Sequence, residues 1–250
     1  MTQDEPMTKT ESAYQILRRE ILEGHLAPGS QLKLSAVREK FNLGWTPLRE
    51  ALARLEGDRL VTAKSNKGFS VAEVSLSELQ DLARSRLVLE MALMEESILK
   101  GDDTWEERVA AAHFRLSRCK LLSSDQLPVI NPSNENFAEW EEKHQEFHLA
   151  LLSAATSDWL KRFYLDITIH MHRHLRFLME QPEYLRATGS GSGQQDTILV
   201  LRSMVIESHT RLMQAAIDRD LDTAKMLMVE HVQFTNDAFS EFGEGLSETS

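Results

Sequence analysis

Four histidines sit where a helical core should be apolar. His144 and His148 are four residues apart in a stripe that runs Phe137, Trp140, His144, His148, Leu151, Ala155. On a helix that spacing sends both imidazoles out of one face, where they can share an ion. His209 interrupts the stripe Ile198, Leu201, Val205, Leu212, Ala216, and His231 interrupts Ala224, Leu227, Thr235, Ala238. Neutral imidazoles aimed inward from three helices suit a divalent transition metal. The alternative is that each is a core histidine hydrogen-bonded to its own neighbour. Glu141, one turn before His144, is placed to be a fifth ligand or to orient one. His170 and His174 form a second i, i+4 pair, but no partner histidine is evident for them.

Arg86 is the other polar intruder, on the stripe Leu79, Leu82, Arg86, Leu89, Leu93. A guanidinium facing a core must be paired. Glu90, one turn on, is a local partner; a small organic acid is the functional one, because the planar fork matches a carboxylate. Arg173 could supply a second fork to such an effector. Cys119 reads as a plain buried thiol. No Walker loop, Rossmann glycine run or H-E-x-x-H is present, so the pattern favours sensing over catalysis. The rival enzyme reading makes the histidines a hydrolytic metal centre.

These groups need helices to position them. Leu17 and Ile21 lie on one face of a helix over 11–23, with Thr8 and Glu11 forming a capping box. A short helix follows over 35–41 with Ser35 as N-cap. A third opens with Thr46 as cap and Pro47 at the first position, and buries Leu48, Ala51, Leu52 and Leu55. RLVTAKSNKGFSVAEV reads as two strands around Ser65–Gly68. Three short helices and a basic-tipped hairpin make a winged helix-turn-helix, whose third helix suits a major groove. From Ser75 on, strand signals vanish. Six helices are predicted, over about 75–100, 104–122, 133–155, 157–180, 196–218 and 221–242.

The fold class is therefore mainly α: a winged helix-turn-helix over 11–74 and an all-α bundle over 75–242. Residues 1–10 and 243–250 read as tails. The 250-residue chain has a net charge of −11, which alone argues against nucleic acid. Yet residues 1–75 hold 11 basic and 10 acidic side chains, so the acid lies behind the front third. Phosphate needs a local basic face, not a basic whole chain. One cysteine excludes a disulfide framework. No apolar run is long enough to span a membrane, and the polar start MTQDEPMTKTES has no secretory h-region. A cytoplasmic protein is expected.

LRREILEGHLAPGSQL, TPLREALARLE and NKGFSV together resemble the DNA-binding domain of the GntR family of bacterial regulators. RLVLE from Arg86, EFHLALLSAA from Glu146, and His209 with His231 resemble the FCD sensing domain of the FadR-type subfamily. The resemblance implies a homodimer on a palindromic operator, acting as a repressor that an organic-acid effector releases, with a metal beside the effector pocket. His148, His209 and His231 match that family's three ligand histidines. His144 stands where an acidic ligand is usual, which turns the implied metal from manganese toward zinc or nickel. For DNA the resemblance implies Thr46, Arg49 and Gly68, with Lys67 at the wing tip. Trp45 replaces a common arginine, and Ser35 replaces another. Arg38 is placed to compensate on phosphates. KHQEFH is similar to the carbon-starvation-induced branch, whose effectors are short dicarboxylates such as glutarate. A regulator in which the metal itself is the signal is the alternative.

Overall fold

The structure is a computed structural model that describes residues 7–64, 68–119, 135–180 and 205–233. The chain divides into two compact units, Met1–Ser75 and Leu76–Ser250.

The first unit opens with α1, Lys9–Leu22, which starts at the Thr8 cap: Thr8 Oγ1 accepts from the Glu11 N–H at 3.1 Å. Ala13, Leu17 and Ile21, at four-residue intervals, are its buried face. Removing the cap by Thr8→Ala is expected to cost about 1 kcal/mol. That should appear as a small fall in the denaturant midpoint of the head; no change would mean the helix end is held by other contacts. α2 spans Leu34–Lys40 and α3 spans Trp45–Gly57. A three-stranded antiparallel sheet follows the order β1 (Gln31–Leu32), β3 (Gly68–Val71), β2 (Val61–Lys64). Leu17, Ile21, Leu48, Leu52, Leu55, Leu60, Val61 and Val71 close one apolar core beneath these elements. Gly68 opens β3 at φ +77°, a left-handed conformation that only glycine adopts without strain.

Several expected boundaries move. α2 is capped by Lys33 without a side-chain bond, and Ser35 lies inside the helix. Gly44 precedes α3, so Thr46 and Pro47 are its second and third residues rather than cap and first. Any of the first four positions tolerates a proline, because none of those N–H groups has an intrahelical acceptor. The two-residue β1 escaped notice because it is too short for any alternation to show. The turn 65–67, Lys67 included, lies outside the described residues.

In the second unit the described residues form six helices: α4 (Leu76–Lys100), α5 (Asp103–Ser117), α6 (Glu135–Leu151), α7 (Asp158–Met179), α8 (Ile206–Ile217) and α9 over 221–233. α4 packs on α7, and α5 on both α6 and α8. Asp102, not Thr104, caps α5, accepting from the Trp105 N–H at 2.9 Å. Gly101 sits in the α4–α5 turn because a Cβ there would lie 2.3 Å from the Trp105 ring. Buried Trp105 in turn donates its indole N–H to Leu151 O at 3.2 Å, tying α5 to the end of α6. Cys119 is buried as expected, but after α5 has ended rather than in mid-helix. Val205 is extended and precedes α8, so the expected helix does not run through it. The predicted segments 120–134, 196–204 and 234–242 lie outside the described residues.

Candidate metal centre and DNA-reading surface

α6, α8 and α9 bring His144, His148, His209 and His231 together, all four buried. One donor nitrogen from each lies within 4.8 Å of the others. His144 and His148 present Nε2 to Nε2 at 3.2 Å, close to the roughly 3.3 Å edge of a tetrahedron of nitrogens 2.0–2.1 Å from zinc. Trp140 stacks on the His144 ring at 4.5 Å and fixes its plane.

Two of the rings have an acceptor behind them. His209 Nδ1 lies 3.0 Å from Val205 O, an acceptor only, so the proton is on Nδ1. His209 Nε2 is then a bare lone pair, buried and without a hydrogen bond. His148 Nδ1 faces Glu90 Oε1 at 3.3 Å without a completed hydrogen bond, and its Nε2 points at the His144 ring. Burial, reinforced by the neighbouring imidazoles, pushes His144 and His231 well below the usual histidine range. Burial likewise lowers His209 to about 3, and it lowers His148 although Glu90 opposes the shift. Four buried, neutral imidazoles with converging ring nitrogens are the donor set a borderline divalent metal takes, and these residues fit one.

Arg86 lies beside this cluster, buried on α4, and donates from Nη2 to Glu90 Oε1 at 2.8 Å. The local partner is thus the one it uses. The guanidinium stands 5.9 Å from the centroid of the Tyr164 ring of α7. Burial opposes both charges, but each keeps the other ionised: Glu90 is held low and Arg86 high. Arg86 Nε and Glu90 Oε2 have no hydrogen bond.

Other expected partners are engaged elsewhere. Glu141 does not reach the cluster as a ligand; Arg176 of α7 closes its fork on it, and His172 approaches it at 3.7 Å. Arg173 is buried on α7, and the charge that acts on it is Glu78. Glu78 lies two helical turns before Arg86, about 12 Å along α4. His174 bonds His170 O at 2.7 Å and Glu78 Oε2 at 3.0 Å, which uses both ring nitrogens structurally. A second group of candidate ligands, Glu20, Glu23 and His25, lies at the surface of the first unit, where Lys40 also approaches Glu20. The roles of Tyr164, His172 and Arg176 had no signal in the sequence, since each depends on a residue of another helix.

On the first unit, Trp45, Thr46 and Arg49 are exposed on one outer arc of α3, opposite the face that buries Leu48, Leu52 and Leu55. Arg38 reaches from α2 to lie 5.0 Å from the Trp45 ring centroid, joining the two helices at the surface. Arg54, exposed on the same helix, is committed inward: it pairs with Glu11 at 2.6 Å and covers the Tyr14 ring. Arg49 makes no ion pair among the described residues. Gly68 stands exposed at the base of the wing.

Residues 9–71 match the family described as bacterial regulatory proteins, gntR family, and residues 81–234 match the FCD domain. The HTH-type transcriptional regulator BphR of Paraburkholderia xenovorans (strain LB400) is 31% identical over 93% of this chain and 86% of its own length. The HTH-type transcriptional repressor GlaR of Escherichia coli (strain K12) is 31% identical over 88% of this chain and 90% of its own. Among solved structures, E. coli McbR/YncC superposes with a TM-score of 0.65 at 17% identity, covering 96% of this chain and all 100% of that one. A transcriptional regulator from Rhodococcus sp. RHA1 gives 0.62 at 20% identity, covering 92% and 96%. At such identities these structures establish the fold alone.

Proposed function

The chain belongs to the GntR family of bacterial regulatory proteins with an FCD domain, and from that premise we propose that this transcriptional regulator is a homodimeric repressor. Its hold on operator DNA is set by a small carboxylate in the helical unit. The observation that carries this reading is the buried cluster of four neutral imidazoles with a guanidinium beside it. His144, His148, His209 and His231 would hold a divalent transition metal, zinc or nickel by donor type, whose charge favours a carboxylate bound beside it. Arg86 keeps a buried N–H without a hydrogen bond, available to a carboxylate oxygen. Arg173 is proposed as a further effector contact only for an acid long enough to extend along α4 toward Glu78.

On the head, Thr46 and Arg49 would read bases, while Arg38, Trp45, Lys67 and Gly68 would fit the backbone of the duplex. α4 starts at Leu76, right after the head ends, so a ligand that reseats Arg86 acts on the helix leading out of the DNA-binding unit. A differential affinity of a few kcal/mol between two head spacings suffices to release DNA.

A thermal-shift screen of full-length protein with two- to six-carbon mono- and dicarboxylates tests this. One acid class, glutarate among the candidates, should raise the melting temperature by several degrees in metal-loaded protein. The same acid should weaken binding to an operator selected from random duplexes. No shift with any acid would remove the carboxylate sensor. Because four nitrogens can complete a tetrahedral site unaided, a regulator in which the metal is the signal is the second reading. Loss of operator binding on adding chelator alone, without organic acid, would favour it.

A further inference from the structure

We infer that Glu90 is a positioning residue for the imidazole centre, a carboxylate that locks His148 into its metal-ready tautomer and is itself locked by Arg86. The inference rests on the reading of the four histidines as metal ligands. Glu90 is wholly buried on α4, and its Oε1 lies 2.8 Å from Arg86 Nη2 and 3.3 Å from His148 Nδ1 on α6. One oxygen thus faces two donors from two helices. No hydrogen bond is complete at His148 Nδ1, so Glu90 is the acceptor within its reach. His209 shows the same logic with a backbone carbonyl, Val205 O, behind Nδ1. Among the described residues no carbonyl bonds the His148 Nδ1, which leaves the carboxylate to hold it.

A metal-binding imidazole needs its second nitrogen to donate, and an anionic acceptor there both orients the ring and raises its basicity. Glu90 supplies the negative charge that four neutral imidazoles lack. Arg86 supplies the reason a carboxylate can stay ionised in a buried place. The pair therefore links the cation of the effector site to a ligand of the metal site through a single oxygen.

The test uses full-length protein and zinc, with affinity read by competition against a chromogenic chelator. Glu90→Gln should weaken zinc binding roughly tenfold to a hundredfold. Because that variant leaves Arg86 unpaired in the core and could fail to fold, Arg86→Met with Glu90→Gln supplies a neutral pair of similar size. It should fold and show the same weakening. In histidine-selective nitrogen NMR of the metal-free protein, His148 should be a single Nδ1–H tautomer in the wild type and a mixture in the double variant. Zinc bound equally tightly by the wild type and the double variant, with His148 unchanged, would overturn the role of Glu90 and leave the four-histidine site standing. A wild-type protein that takes up no zinc, nickel or cobalt would overturn the site and this inference with it.

Discussion

Full-length protein carrying His148→Ala and His209→Ala together is expected to lose its bound transition metal. Structural zinc in small sites is worth roughly 10–16 kcal/mol, so an even share over four donors assigns two of them roughly 5–8 kcal/mol, a loss above a thousandfold. These two are the informative pair because their tautomers are set from behind, by Glu90 and by Val205 O. They come from α6 and α8, so the double variant also removes a link between helices. Elemental analysis after dialysis against limiting chelator should give metal in wild-type protein and a trace in the variant. His113→Ala, whose ring bonds Thr210 at a partly exposed site, should keep its metal. Equal metal in all three would mean that the imidazoles are core residues satisfied by one another. The melting temperature gives an independent reading: added metal should raise it for the wild type and not for the double variant.

The histidine cluster was legible because each imidazole breaks an apolar stripe, and a stripe is a local pattern of period 3.6. That the four meet in space follows from packing of α6, α8 and α9, which no stripe states but which burial of all three faces requires. What joins Glu90 to His148, or Arg176 to Glu141, lies between helices and leaves no mark at any fixed spacing. Glu141, the carboxylate expected beside the histidines, pairs with Arg176, while Glu90, expected as the mate of Arg86, also faces the His148 ring. Helix ends shifted for a different reason. Asp102 and Thr104 are both good cap residues, and only the path of the backbone decides which one caps; here Asp102 does, accepting from the Trp105 N–H. Arg49 and Arg54 look alike on a helical wheel. Glu11 and Tyr14, some forty residues earlier, separate them by drawing Arg54 back onto α1.

That separation makes Arg49→Ala the second large effect. Arg49 is exposed near the start of α3, beside Thr46, and has no acidic partner among the described residues to hold it off DNA. A guanidinium bonded to guanine O6 and N7 discriminates by about 1–3 kcal/mol, and the proposed dimer would use the residue twice, giving about 2–6 kcal/mol. Specific affinity should fall by roughly thirtyfold to more than ten-thousandfold, toward the level of non-specific duplex. Fluorescence anisotropy at fixed salt reads this, with light scattering and circular dichroism showing unchanged mass and helicity. Non-specific binding should persist, since it depends on phosphate contacts spread over several cations, and its salt dependence should weaken by about one charge per head. Arg54→Ala should do the reverse. It breaks the exposed Glu11 pair and uncovers Tyr14, so it should lower the denaturant midpoint of the head slightly while sparing discrimination between operator and random DNA. If Arg49→Ala kept full operator specificity and Arg54→Ala lost it, the outer arc of α3 would not be the reading surface, and the groove would have to be read from the other side of the helix.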